Sequence, residues 1–330
     1  MRIKLLITVT LLILALTSAA VWQFKQLPLQ RISIEQPRLF LVQSGIGLKK
    51  LCQQWQTIAL VDSCLGLEIL AKLDPSLTDL KAGMYQLRPG TVLENVRRIN
   101  QGDAHLFSFT IIEGQTLYQI IDKIAAAPYL SVPNFIFELD ELEAALNFTG
   151  DHLEGWLYPE TYYYRANETA ISLLKRASSK MKTYLQQAWE RRAENLPYAN
   201  AYEALIMASI IEKETGIASE RPLIASVFIN RLNKKMRLQT DPTVIYGLGE
   251  AFDGDIKRSH LKQLTPFNTY MINGLPPTPI ASPSAAAIDA ALNPLQSDYY
   301  YFVAKGDGSH QFSKTLSEHN AAVRKYQLKK

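Results

Sequence analysis

The stretch "ASIIEKETGIASERP", residues 208–222, places two glutamates at the end of an apolar run, and these carboxylates have the clearest capacity for chemistry. Glu214 lies three residues after Ile211, four after Ile210 and seven after Met207, which stacks it on the apolar stripe of a helix. It also falls in the last turn, where unpaired carbonyls and the helix dipole disfavour an anion. Desolvation and dipole both raise the pKa of such a carboxyl and keep it protonated near neutral pH, as a general acid requires. Glu212 sits about 200° round the helix from Glu214 and equally fits a buried, ion-paired structural carboxylate. Periodicity also leaves open that both residues merely end a helix.

The rest of the chemistry-bearing inventory is thin. The five histidines, His105, His152, His260, His310 and His319, show no metal-ligand spacing with one another or with cysteine. There is no G-x-S-x-G elbow and no phosphate-cradling glycine loop. Zinc hydrolase, serine hydrolase and nucleotide enzyme are therefore disfavoured, and no metal or cofactor is expected.

The elements around the glutamates follow from periodicity and caps. In "NAYEALIMASIIEKETG", Asn200 with Glu203 forms a capping box, Gly216 is a natural stop, and 204–211 is apolar nearly all round, so the helix is buried. A preceding helix over 171–196 presents Leu174, Met181, Leu185 and Ala188 on one face. A following helix over 220–232 begins with Glu220, whose charge favours a helix start. Extended chain and turn are expected for "MRLQTDPTVIYGLG" (236–249), where Asp241 before Pro242 is a good turn former, and an extended loop for "NGLPPTPIASP" (273–283). Ser282 and Pro283 then cap a short helix ending near Pro294. "YYYFVAKGDGSHQFSKT" forms a hairpin around the glycines at 306–308. The aromatic run "EGWLYPETYYY" (154–164) fits a packed loop or strand as well as a sugar-stacking platform.

A short internal repeat sits upstream. "FLVQSGIGLKKL" from Phe40 aligns with "FTIIEGQTLYQI" from Phe109, glycine on glycine, each copy fitting strand, turn and helix. With a second helical stretch at 65–73 and "KAGMYQLRPG" at 81–90 as turn, strand, turn, residues 36–104 form a small strand-helix-helix-strand module. The remainder, 105–330, mixes helices with short strands, so the fold class is α+β rather than α/β.

Composition bounds the setting. A hydrophobic content of 47% with 20% charged residues describes a folded protein, and a net charge of +4 with no basic, aromatic-laced stripe argues against nucleic acid. From Leu5 to Phe24 no charge occurs, a length that suits a membrane-spanning helix. A cleaved signal is the rival, given the small residues at 17–20, but the length favours a retained anchor over 1–24 followed by a linker over 25–35. The bulk of the chain is then exported. Cys52 and Cys64, on adjacent helical stretches, can pair in an oxidising compartment or remain buried thiols.

Four long segments, "ASIIEKETGIASERPLIASVFINRL", "MRLQTDPTVIYGLG", "NTYMINGLPPTPIASP" and "YYYFVAKGDGSHQFSKT", together with "KAGMYQLRPG" and "EGWLYPETYYY", resemble the endolytic murein transglycosylase family of bacteria, the YceG-like proteins. The resemblance implies a single-pass inner-membrane protein with a periplasmic LysM-like peptidoglycan-binding subdomain and a lytic domain. It also implies that Glu214, the second glutamate of E-K-E-T, is catalytic, with Thr215 in the place of the Ser or Thr that follows it. The implied reaction breaks the N-acetylmuramic acid to N-acetylglucosamine bond within strands, leaving 1,6-anhydromuramic ends. Gln239, Thr240, Asp241, Tyr246, Asn268 and Tyr270 are the expected cleft residues, each with an ordinary structural role as its alternative. An anchored enzyme of this kind would work beside the wall-synthesis machinery, although no interaction motif is visible. The rivals are a muramidase using Asp241 as second carboxylate, and a catalytically idle, membrane-tethered wall-binding scaffold.

Overall fold

The computed structural model describes residues 2–150 and 152–328. The chain divides into two compact units, Met1–Phe107 with Tyr164–Asn167, and Ser108–Tyr163 with Glu168–Lys330.

The first unit begins with a long helix, α1 (Arg2–Gln26). The expected anchor falls on it, but several of its side chains, 5–7 and 9 among them, lie outside the described residues. Among the described residues no helix is long and apolar enough to cross a membrane. Strand β1 (Arg38–Val42), helices α2 (Leu48–Thr57) and α3 (Leu65–Leu73), strand β2 (Gly83–Leu87) and helix α4 (Val92–Gln101) follow. β1 and β2 pair antiparallel, with Arg38 opposite Leu87 and Val42 opposite Gly83. Their inward residues close over Leu51, Trp55, Val96 and Ile99. The amphipathic α4 is fixed at its start by a capping box between Thr91 and Glu94. Cys52, on α2, is disulfide-bonded to Cys64, the cap residue of α3.

The second copy of the repeat follows, β3 (Phe107–Thr110), whose residues from Ser108 on belong to the second unit, and α5 (Leu117–Ala125). The alignment is physical: Gly45 and Gly114 take φ of 73° and 74°, the left-handed turn that feeds strand into helix. Val42 and Ile111, like Leu51 and Ile120, are fully buried counterparts. Then come α6 (Leu139–Leu146), β4 (Thr161–Tyr164), paired with β3, and the long α7 (Ala170–Glu190). On α7 the expected face, Leu174, Met181, Leu185 and Ala188, is buried. The aromatic run before it packs rather than opening a platform: Trp156 stacks on Tyr202, and Tyr162 and Tyr164 point inward from β4.

Helix α8 (Ala201–Glu214) is the centre of this unit, with every residue from Ala204 to Ile211 buried. Its neighbours are α7, α9 (Arg221–Asn233) and α12 (Ala285–Leu292), which bring Met181, Ile224, Phe228 and Ile288 to one core. Truncating one such fully buried side chain to alanine costs about 2–5 kcal/mol. The single polar residue in the run, Ser209, is satisfied on both sides: its hydroxyl donates to the Ile206 carbonyl and accepts from the Ile280 N–H. Asn200 caps α8 by accepting from the Glu203 N–H, while the Glu203 carboxylate reaches back to Ala199 rather than Asn200, so the box is displaced by one residue. The helix stops at Glu214, two residues before Gly216.

Two sequence expectations are corrected between α9 and the carboxyl end. The segment expected as extended chain and turn contains α10 (Asp241–Leu248). Asp241 is its first residue and Pro242 its second, where a missing N–H costs nothing, so the Asp-Pro pair starts a helix instead of a turn. The short α11 (Arg258–Lys262) follows. Helix α12 is capped by Ser284, not by Ser282 and Pro283. The chain ends with the hairpin β5 (Tyr301–Ala304) and β6 (His310–Ser313), then α13 (Leu316–Tyr326). The overall architecture is mixed α+β, with helices predominating over three two-stranded sheets among the described residues.

Candidate active site

Glu214 is the last residue of α8, so the buried helix ends by delivering a carboxyl into a cleft of about 380 Å³. Residues from α9, the segment into α10, the hairpin and α13 complete the walls. Burial pushes the Glu214 carboxyl up to about 7, and the neighbouring Asp241 charge adds to this. The Thr240 hydroxyl donates to Glu214 Oε1 and opposes the rise, as does the Arg231 charge. The balance is a carboxyl poised to hold or release a proton near neutrality.

The Thr240 hydroxyl is itself held in place. Thr240, the cap residue of α10, donates its N–H to Thr269 Oγ1 at 3.0 Å, and the Thr243 hydroxyl donates to the Thr240 carbonyl at 2.8 Å. All three threonines are buried. Just before them Gln239 has φ of 52°, a left-handed backbone that a side-chain-bearing residue rarely adopts and that is held here by its N–H bond to the Thr269 carbonyl. Tyr270 donates its hydroxyl to Asp241 Oδ1 at 2.6 Å.

Five of the expected residues therefore meet at the cleft: Glu214, Gln239, Thr240, Asp241 and Tyr270. Three others are placed elsewhere. Thr215 is buried, and its hydroxyl accepts from the Ile217 N–H, shaping the turn after α8. Asn268 is 1% exposed; its amide donates to the His260 and Gln263 carbonyls, and its oxygen accepts from the Tyr270 N–H. Its position holds the loop that presents Tyr270. Tyr246 donates its hydroxyl to Glu154 Oε2 at 3.0 Å and packs on Phe267.

The ambiguity between the two glutamates resolves geometrically. Glu212 Oε2 accepts from both the N–H and the hydroxyl of Ser284, and Oε1 lies 3.9 Å from Arg221 Nη2. It is a buried, paired carboxylate joining α8 to the start of α12. Glu220 stands at the cap position of α9, the helix start expected of it, but its side chain makes no cap hydrogen bond. It holds His310 of the hairpin instead.

The cleft also contains groups that sequence reasoning did not select. Arg231 is 7% exposed, and its guanidinium donates to the carbonyls of Tyr300 and Leu238 while lying over the Tyr301 ring. His310, Tyr301 and His319 line the opposite strand and helix. The "NRL" and "SHQF" stretches carry no motif that would single these residues out. Glu154 is a further surprise: 2% exposed, it is pushed up to about 7 by burial, and it accepts from the N–H groups of Leu117 and Gly155 besides Tyr246. Among the described residues there is no group of three or more His, Cys, Asp or Glu side chains suited to a metal ion.

The YceG-like family model matches residues 40–325. The chain belongs to the YceG-like family. It is 36% identical over 270 residues to the endolytic murein transglycosylase of Bacillus subtilis (strain 168), covering 74% of this chain and 73% of that protein. It is 30% identical over 288 residues to the endolytic murein transglycosylase of Streptococcus pneumoniae serotype 2 (strain D39), covering 74% of this chain and 50% of that longer protein. Among solved structures it is similar to the yceG-like protein lmo1499 of Listeria monocytogenes, with a TM-score of 0.52 and 32% identity over 87% of this chain and 99% of that one.

Proposed function

We propose that this YceG-like chain is an endolytic murein lytic transglycosylase, with Glu214 as its acid. The observation that carries the reading is one carboxyl, raised to about 7, ending a buried helix inside a polar cleft. The relatives named endolytic murein transglycosylase supply the substrate class. Glu214 donates its proton to the oxygen that links N-acetylmuramic acid to N-acetylglucosamine, and the bond from that oxygen to muramyl C1 breaks. The muramyl C6 hydroxyl oxygen closes on C1, its proton returning to the site, and no water is consumed. Gln239, Asp241 and Tyr270 offer donors and acceptors to the sugar hydroxyl and acetamido groups.

The same reading puts the chain on the outer side of a bacterial inner membrane, anchored through α1, with residues 36–104 as a LysM-like wall-binding module and residues 105–330 as the lytic domain. The exposed apolar side chains of α1, such as Leu11, Leu12 and Trp22, support the anchor. The Cys52–Cys64 disulfide supports an oxidising compartment. The β1-α2-α3-β2 order supports the module. Such an anchor favours nascent strands near the membrane and contact with the synthetic machinery. A muramidase is the second reading, because Asp241 stands in the same cleft as a possible second carboxylate.

Mass spectrometry of glycan strands digested by the full chain in detergent tests the proposal. Internal fragments with anhydromuramic ends, one water lighter than reducing ends, are expected. Reducing ends would establish the muramidase, and uncut strands would leave only a wall-binding scaffold.

A further inference from the structure

Closing the anhydro ring requires a base for the C6 hydroxyl proton, and the cleft contains an imidazole built for proton transfer. The Glu220 carboxylate grips His310 twice, Oε2 at 2.7 Å from Nδ1 and Oε1 accepting the backbone N–H at 3.0 Å. The ring is further fixed by Phe302, edge-on at 5.4 Å, and by Phe312. Both partners are largely buried, with side chains 10% and 15% exposed. The His310 ring lines the same cleft as Glu214, and its Nε2 makes no hydrogen bond to any described residue. A carboxylate on Nδ1 fixes the tautomer with Nδ1–H, which leaves Nε2 as the acceptor and stabilises the imidazolium once it forms. A histidine serving only to fasten the hairpin has no need to line the cleft that holds Glu214.

We infer that His310 is a second catalytic residue that takes the muramyl C6 proton, with Glu220 as the residue that positions it. The inference rests on the lytic reading proposed above and divides its acid and base steps between two side chains. In the first step the Glu214 proton moves to the glycosidic oxygen, which keeps the electron pair of the broken C1–O bond. In the second, the C6 O–H bond breaks, its proton passes to His310 Nε2, and the oxygen lone pair forms the bond to C1. Glu214 is then a carboxylate and His310 an imidazolium. Transfer of one proton from His310 to Glu214, through water in the cleft, restores both, so protons balance without a co-reactant.

The experiment compares the full chain in detergent with His310→Ala and Glu220→Gln, measuring anhydromuramic ends released from glycan strands. For His310→Ala, kcat falls by about 100-fold or more with KM little changed, the range of general-base catalysis. Added imidazole restores part of that rate. Glu220→Gln keeps the side chain's shape but can accept only one of the two bonds; its NH2 against Nδ1 turns the ring to the tautomer with the proton on Nε2, and kcat falls by about 100-fold or more. A His310→Ala rate within a few-fold of the parent, or a loss that imidazole does not restore, overturns the inference and leaves a structural clamp. If His310→Ala does not fold, a Glu220→Gln enzyme with the parent rate overturns it in the same way. Failure of the lytic reading looks different, since the parent chain itself would then yield no anhydromuramic ends.

Discussion

Replacing Glu154 by glutamine should make the second unit more stable above neutral pH and leave it nearly unchanged in mild acid. Glu154 is 2% exposed, and burial raises its carboxyl from 4.5 to about 7. A pKa raised by folding contributes stability that is complete below the unfolded value, here 4.5, and is lost as pH climbs through the folded value, here about 7. A gap of about 2.5 pH units at 1.36 kcal/mol each gives a loss of about 3 kcal/mol between pH 4.5 and 8. Glutamine imitates the protonated acid. Its oxygen can accept from the Leu117 and Gly155 N–H groups, and its amide can donate to Tyr246, whose hydroxyl turns to accept. Hydrogen exchange of α8 and α9 peptides across a urea series reports the stability of this unit without interference from the other. The parent should lose about 3 kcal/mol more than Glu154→Gln between pH 4.5 and 8. The Glu214 titration occurs in both proteins and cancels. Equal pH dependence in the two would refute the reasoning, because it would mean that Glu154 is ionised throughout and its three donors outweigh desolvation.

Thr240→Val removes the hydroxyl that favours the ionised Glu214, so the carboxyl holds its proton to higher pH and the alkaline limb of the activity profile moves up by about one pH unit; an unmoved limb would show that this bond does not act on the acid. Glu212→Gln breaks the grip on Ser284 and the pairing with Arg221, and should lower the stability of the second unit by about 3 kcal/mol while preserving activity per folded molecule, as read by exchange and by product release. Reducing the Cys52–Cys64 bond, which spans 12 positions, should cost the first unit about 3 kcal/mol, seen as an earlier unfolding transition of the buried Trp55 with reductant.

Local signals carried much of this fold. The repeated strand, glycine turn and helix were legible because Gly45 and Gly114 need the same backbone and their flanking apolar residues share one spacing. The apolar run of α8 and its cap at Asn200 were equally plain, as was the hairpin around Gly306 and Gly308. The helix α10 was not, because an Asp-Pro pair suits both a turn and a helix start, and only the packing of Val244 and Thr243 decides between them. The cleft shows the same division. A carboxyl at the end of a buried helix is visible from periodicity, whereas Arg231 and His310 depend on contacts 69 and 90 positions away. Tyr246 and Asn268 stand in polar surroundings that look like a site in one dimension, yet their partners are Glu154 and the main chain of the loop before Tyr270. Glu212 and Glu214 differ by only two positions, and what separates them is that α12 starts beside one and a cleft opens beside the other.

The most direct test of the central claim is the end chemistry of strands treated with Glu214→Gln and, in parallel, Asp241→Asn, each confirmed as folded by hydrogen exchange. The account predicts that Glu214→Gln abolishes anhydromuramic ends, and that Asp241→Asn still produces them, more slowly. Anhydromuramic ends from Glu214→Gln at the parent rate would contradict it.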